Sequence, residues 1–179
     1  GWNVITIKYG RKLHEAFAKP GGKSLKKWLN DVPNDIYSAL TFQGGAAWRA
    51  QITSDMPGDN ALVSLLGEYE DDALHDLMTN LGGHCMEAVL SAFDAVPNDK
   101  PTIFIAYTVK GYGTPLQGHK DNHAGLMNVP QMDAFKEQNR VEDGKEWDFA
   151  AGLDVSEDKI RSYIKNAPFN DSAPRHKKA

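Results

Sequence analysis

The chain lacks several features that mark common classes of protein. It holds one cysteine, Cys85, in 179 residues, so no disulfide can form within it, which fits a reducing compartment such as the cytoplasm. No apolar run approaches the ~18 residues that a membrane span needs, so we expect no transmembrane helix. Neither GxxxxGK[ST] nor GxGxxG occurs, and this argues against the two familiar glycine-rich nucleotide loops.

Positive charge is also scarce. Twenty Lys and Arg residues face 24 Asp and Glu residues, for a net charge of −4. No basic stripe with interleaved aromatic residues occurs, so nucleic acid is not an expected partner. The basic cluster Arg175-His176-Lys177-Lys178 is interpreted as a solvated chain end. The hydrophobic content of 41% is ordinary for a globular domain with a real core.

Two segments predict β-strands, Trp2–Lys8 and Thr102–Val109. Both are nearly continuous runs of Val, Ile, Thr and aromatic residues. Such runs are typical of parallel strands that are covered on both faces. The predicted fold class is therefore α/β, as part of a doubly wound parallel sheet.

Most of the intervening sequence predicts helices. Ala61–Leu81 carries leucines at helical spacing, with a break expected near Gly67 or the following acidic residues. Met86 and Phe93 bound another amphipathic helix, and further along Pro130 suits a helix start and Ser156 an N-cap.

Two strands are too few for a stable sheet of this type, which usually has about five. Other strands come either from a partner chain or from the rest of a larger fold, and we favour the second explanation. The chain also starts without a methionine, directly on a strand-like run, so we expect further residues upstream of Gly1. The fold is predicted to be helix-rich and incomplete.

The second strand leads into Lys110-Gly111-Tyr112-Gly113. Open α/β sheets present groups to ligands at the carboxyl ends of their strands. Glycines let the backbone approach a ligand, and a lysine can meet a negative charge there. The alternative is a tight turn with an exposed lysine, which these four residues alone do not exclude.

A polar loop with His119 and His123 follows. Their spacing of four suggests a zinc pair, but the surrounding Gly118–Gly125 predicts a loop and no further ligand stands nearby. A histidine on a glycine-flanked loop suits proton transfer or a hydrogen bond to phosphate. An ordinary surface histidine is the alternative.

Two other motifs have mainly structural interpretations. Gly82-Gly83-His84 precedes a helix and predicts a turn, with membership of a site as the alternative. Trp48 and Arg49 predict core packing beside a surface charge, with an aromatic–guanidinium pair as the alternative.

Taken together, these motifs resemble the transketolase-like thiamine diphosphate enzymes. The likeness is greatest to the decarboxylating component of homodimeric 2-oxo acid dehydrogenases of the pyruvate dehydrogenase type. The residues that carry it are Thr108-x-Lys-Gly-Tyr-Gly, the spacing from Gly118 to His123, Met127-Asn128, Gly1-Trp2-Asn3-Val4, Gly82-Gly83-His84 and Ala92-Phe93.

The resemblance implies that residues 1–168 are the C-terminal part of a diphosphate-binding domain and that residues 169–179 are a linker or disordered tail. It implies cofactor binding by Lys110, Gly111 and Gly113 and catalysis by His123 on a loop that closes over the active centre. The implied cofactors are thiamine diphosphate and Mg²⁺, with metal ligands expected upstream of this chain and none within it.

The implied activity is oxidative decarboxylation of a 2-oxo acid, pyruvate first, with transfer of the acyl group to a lipoyl-bearing acyltransferase. The implied full-length enzyme is a homodimer, and the isolated chain is expected to be inactive. The loop after Gly113 is shorter than usual for the family, so His119 remains the alternative loop histidine. Transketolase-type ketol transfer and a non-catalytic fragment or split-enzyme subunit are the alternative functions.

Overall fold

Two strands pair in parallel in the computed structural model, which describes residues 1–97 and 100–167. Strand β1 is Asn3–Ile7 and β2 is Thr102–Ala106, with Ile5 opposite Phe104. Both strands lie inside the predicted segments and are shorter than predicted. The fold class is confirmed: within the described residues the chain is helix-rich, with a small parallel sheet.

In the part of the chain that the structure describes, seven α-helices lie between β1 and β2 in the sequence. They are α1 Arg11–Phe17, α2 Gly22–Asp31, α3 Asn34–Gln43, α4 Gly45–Asp55, α5 Asn60–Gly67, α6 Asp71–Met78 and α7 Met86–Asp94. The predicted break within Ala61–Leu81 is confirmed, since Gly67 ends α5 and α6 begins four residues later.

The core lies among these helices rather than against the sheet. Trp48 is fully buried and makes edge contacts with Trp28 and Tyr37, at ring-centroid distances of 6.0 and 5.0 Å. Leucines at the predicted helical spacing pack around it. Burial of each large apolar side chain contributes about 1.5–3 kcal/mol. The packing interpretation of Trp48 is confirmed, while Arg49 donates hydrogen bonds to the carbonyls of Leu66 and Tyr69.

The prediction that both strands are covered on both faces is wrong for this chain. On one face α7 packs against the sheet, with Phe93 and Phe104 in edge contact at 4.7 Å. On the other face Val4, Ile103 and Ile105 are exposed at 56%, 45% and 47%. The apolar sequences indicate that both faces of the sheet can be buried, but the described residues of this chain bury only one of them.

The chain divides into two compact units, Gly1–Leu126 and Met127–Ala179. In the second unit the helices are α8 Val129–Gln138 and α9 Glu157–Asn166. The predicted helix starts are confirmed: Asn128 and Gln131 form a capping box, and the Ser156 hydroxyl accepts from the backbone N–H of Lys159. Neither helix buries a residue.

The assignment of residues 1–168 to one cofactor-binding domain remains a prediction. The predicted linker or tail, 169–179, lies outside the described residues. Within the part that is described, no helix has both the length and the apolarity to cross a membrane.

Candidate functional site

The carboxyl ends of the two parallel strands border one cavity. It has a volume of about 430 Å³ and is lined by Lys8 and Tyr9 after β1 and by Tyr107 and Lys110 after β2. The connection between α2 and α3 closes it from the side. Ligands of open parallel sheets bind at this edge, so this cavity is the candidate site, and the predicted roles of its residues stay predictions.

Lys8 is a residue of this site that sequence reasoning missed. Its ammonium donates to the side-chain oxygen of Asn30, and the Tyr9 hydroxyl donates to the same oxygen at 2.7 Å. The ammonium also lies 5.2 and 5.4 Å from the ring centroids of Tyr9 and Tyr107. These partners are neutral, so Lys8 keeps a net positive charge at the cavity. Its place directly after the first strand was the available signal.

The glycine turn is confirmed as a backbone feature. Gly111 and Gly113 have φ angles of 73° and 77°, a left-handed conformation that other residues rarely adopt. The Lys110 carbonyl accepts the Gly118 N–H at 3.1 Å and the Asn122 side-chain amide at 2.9 Å. The loop is therefore tied back to the backbone of Lys110, and Lys110 itself is exposed.

The turn Gly82–His84 connects both strand ends. The Gly82 N–H donates to the Lys8 carbonyl at 3.0 Å, and the Gly83 N–H donates to the Tyr107 carbonyl at 2.9 Å. The Val109 N–H donates to Nε2 of His84 at 2.7 Å. The turn interpretation of this motif is thus confirmed, and the same turn contacts the lysine-bearing segment.

The two loop histidines have different surroundings. The His119 ring lies against Phe42 with centroids 4.6 Å apart, and its Nδ1 accepts the Asp121 N–H at 3.1 Å. Its neighbour Gly118 packs directly on α3, where an added Cβ would lie 2.6 Å from the Ser38 carbonyl oxygen. His119 therefore anchors the loop, whereas His123 is exposed and follows Asn122.

His75, on α6, supports the glycine turn at Gly111 and Gly113 through the side chain of Gln117. The Gln117 side-chain oxygen accepts the Gly113 N–H at 3.0 Å, and its amide nitrogen lies 2.9 Å from Nε2 of His75. Since the amide nitrogen is a donor, His75 accepts at Nε2 and carries its proton at Nδ1. That Nδ1 is buried with no hydrogen-bond partner among the described residues.

Burial disfavours the charged form of both supporting histidines. It lowers the pKa of His84 below its usual value. It also lowers the pKa of His75, where the nearby carboxylates of Asp76 and Asp72 oppose the effect. The turn is therefore held by neutral imidazoles that act as acceptors.

The described residues include no group of three or more His, Cys, Asp or Glu side chains placed to hold a metal ion. The cavity is lined by two lysines, Lys8 and Lys110, whereas Gly111, Gly113 and the exposed His123 follow in the sequence and do not line it. Two lysines suit an anionic group rather than a divalent cation.

Comparison with known proteins identifies similar sequences. The chain is 28% identical over 138 residues to the pyruvate dehydrogenase E1 component of Escherichia coli, covering 76% of this chain and 15% of that protein. It is 29% identical over 146 residues to the corresponding protein of Mycolicibacterium smegmatis, covering 79% and 15%. No protein-family model matches.

The chain thus spans about 15% of the length of these relatives. The resemblance that the turn and loop motifs indicated is confirmed: the chain is similar to one region of pyruvate dehydrogenase E1 components.

Proposed function

We propose that this chain is the diphosphate-side segment of a thiamine diphosphate-dependent decarboxylating enzyme of the pyruvate dehydrogenase type. The observation that carries the proposal is the Lys110 turn at the carboxyl end of a parallel strand, with a histidine loop tied back to it. The similarity to pyruvate dehydrogenase E1 components supports it.

The residues present fit the diphosphate part of this cofactor. The exposed Lys110 can pair with a phosphate oxygen, and the left-handed Gly111 and Gly113 allow close approach of the backbone. When bound, thiamine diphosphate supplies the carbanion chemistry that splits a 2-oxo acid. The Mg²⁺ ligands of this proposal belong to residues outside this chain, as the resemblance implies.

His123 is proposed as the residue that handles substrate protons. An imidazole titrates near neutral pH and can donate or accept a proton at the reacting group. Its loop is anchored by His119 and by the Lys110 carbonyl, which accepts from the side-chain amide of Asn122, the residue before His123. A loop in this place would also exclude water from the reacting centre.

The larger assembly supplies the rest of the activity in this proposal. The full-length gene product is a homodimer, its substrate is pyruvate, and the acyl group passes to a lipoyl-bearing acyltransferase. The remaining sheet and metal ligands come from the same polypeptide or from a separate chain. The 179-residue chain alone does not decarboxylate pyruvate.

The experiment is an assay of the full-length gene product with thiamine diphosphate and Mg²⁺. We expect turnover of pyruvate with an artificial electron acceptor and no ketol transfer from xylulose 5-phosphate. Turnover of the sugar phosphate alone would assign a transketolase, and no turnover of either with intact cofactor binding would favour a non-catalytic module. Turnover of pyruvate by the isolated chain would contradict the segment proposal.

The loop histidines give a matched pair of variants. His123→Ala should lower kcat by about 10²- to 10⁴-fold, the usual contribution of a general acid or base, with cofactor affinity unchanged within a few-fold. His119→Ala removes a contact with Phe42 and should have the smaller effect. Steady-state kinetics and cofactor titration compare the two variants. A larger loss of kcat for His119→Ala than for His123→Ala would contradict the proposal and assign the catalytic role to His119.

A further inference from the structure

We propose that His84 is a positioning residue for Lys110, which rests on the proposed function insofar as Lys110 binds the cofactor diphosphate. His84 would act through the backbone of the turn and would not touch the cofactor. Sequence analysis favoured a purely structural turn at this position.

The contacts of His84 bracket Lys110. Nε2 accepts the Val109 N–H at 2.7 Å, one residue before the lysine. The imidazole also stacks on the Tyr112 ring, with centroids 3.7 Å apart and an interplanar angle of 11°, two residues after the lysine. A single side chain thus holds both flanks of Lys110.

The two preceding glycines make this contact possible. A Cβ on Gly82 would lie 2.5 Å from the Ile7 carbonyl oxygen, and one on Gly83 would lie 2.6 Å from Cγ2 of Thr108. Real Cβ atoms do not approach so closely, so the turn can lie against both strand ends only with glycine at these positions. His84 is carried by this turn to the start of the lysine segment.

The protonation state follows from the geometry. Val109 can donate only to an unprotonated Nε2, so the neutral ring carries its proton at Nδ1. A cationic imidazole would place two donors face to face and lose the bond. The lowered pKa of His84, caused by burial, agrees with the neutral form.

Two variants separate the acceptor from the ring. His84→Gln keeps an oxygen acceptor near the place of Nε2 and removes the stack, whereas His84→Phe keeps the ring and removes the acceptor. Tyr112→Leu removes the stack from the other side. The exposed His14 provides the control variant His14→Gln.

The first readout is backbone amide exchange at Val109 and chemical shifts of Gly111 and Gly113, measured by NMR on the 179-residue chain. In His84→Phe we expect exchange at Val109 to rise about tenfold, as for loss of a hydrogen bond of about 1.4 kcal/mol, with shifted glycine signals. His84→Gln should retain the protection. Equal behaviour of the two variants, or no change in either, would overturn the proposal.

The second readout is the thiamine diphosphate Kd and kcat of the full-length gene product. His84→Phe should raise Kd about tenfold, with a smaller change in kcat, and His84→Gln should recover most of the affinity. If the wild type does not bind the cofactor, the proposed function fails, while the exchange data still decide whether His84 positions the turn. If it binds and His84→Phe changes neither readout, only the role of His84 is refuted.

If His84→Phe does not fold, as judged by circular dichroism, Tyr112→Leu takes its place. That variant should shift the Gly111 and Gly113 signals and raise the cofactor Kd, and wild-type values for both would overturn the proposal.

Discussion

Two lysines of the site follow the two strands, and their surroundings differ. Lys8 is engaged by Asn30 and by two tyrosine rings. Lys110 is exposed, and its backbone rather than its ammonium is tied down. An ammonium that must find its partner in a ligand contributes more to binding than one that already has neutral partners.

Replacing Lys110 should therefore weaken cofactor binding. We expect Lys110→Gln to raise the thiamine diphosphate Kd of the full-length gene product by about 10- to 100-fold, since a hydrogen bond to a charged group contributes about 1.5–3 kcal/mol. Lys8→Gln should have a smaller effect. Calorimetric titration measures both, with the exposed Lys120→Gln as the control. Equal effects of Lys110→Gln and Lys120→Gln would refute the role of Lys110.

The supporting histidines make the first unit sensitive to acid. The pKa of His75 and of His84 is lowered by burial in the folded chain, so the unfolded chain binds more protons below the ordinary histidine pKa of 6.5. Their stabilising contribution is complete above pH 6.5 and is lost as the pH falls through the lowered values. We expect the melting temperature to drop over this range, and to drop less in His84→Gln. Parallel pH profiles for the two proteins would contradict this expectation.

At the scale of elements, local sequence patterns predicted where helices and strands lie better than they predicted what covers them. The break at Gly67, the N-cap at Ser156 and the two strand segments are set by nearby residues, and each is confirmed. The prediction that both strand faces are buried was wrong, because apolar character indicates that a face can be covered and does not indicate which chain covers it. Lys8 was missed because its place directly after β1, the available signal, does not by itself distinguish a site lysine from a solvated one.

Close helix packing cannot be predicted from local patterns either. Gly45 begins α4 where an added Cβ would lie 1.8 Å from the Asp71 carbonyl oxygen at the start of α6. Gly45→Ala should therefore lower the free energy of unfolding by about 1–3 kcal/mol, the usual cost of overpacking. Gly67→Ala meets no atom within 4 Å and should lie within ~1 kcal/mol of wild type. Urea denaturation of the chain compares the two, and equal losses would contradict the packing explanation.

The whole first unit has a sheet that is covered on one side. The exposed side carries Val4, Ile103 and Ile105, and Val4 lies directly beside Ile103 in the parallel register. Contiguous apolar surface of this kind usually marks an interface. The chain spans about 15% of the length of the E. coli relative, and under the segment proposal we expect this face to be covered in the full-length gene product.

The exposed face offers a test of the segment proposal. The double variant Ile103→Thr/Ile105→Thr keeps β-branched residues, so we expect the isolated chain to keep its melting temperature and to bind less of an apolar dye. In the full-length gene product the same variant should lower stability by about 1–3 kcal/mol, because there two buried apolar side chains become polar. Ile7→Thr, at a position 7% exposed, should destabilise both proteins and serves as the control. If the double variant lowers the stability of the chain and of the full-length product by the same amount, the same atoms cover this face in both. The sheet would then be complete without further strands or helices, which would contradict the segment proposal.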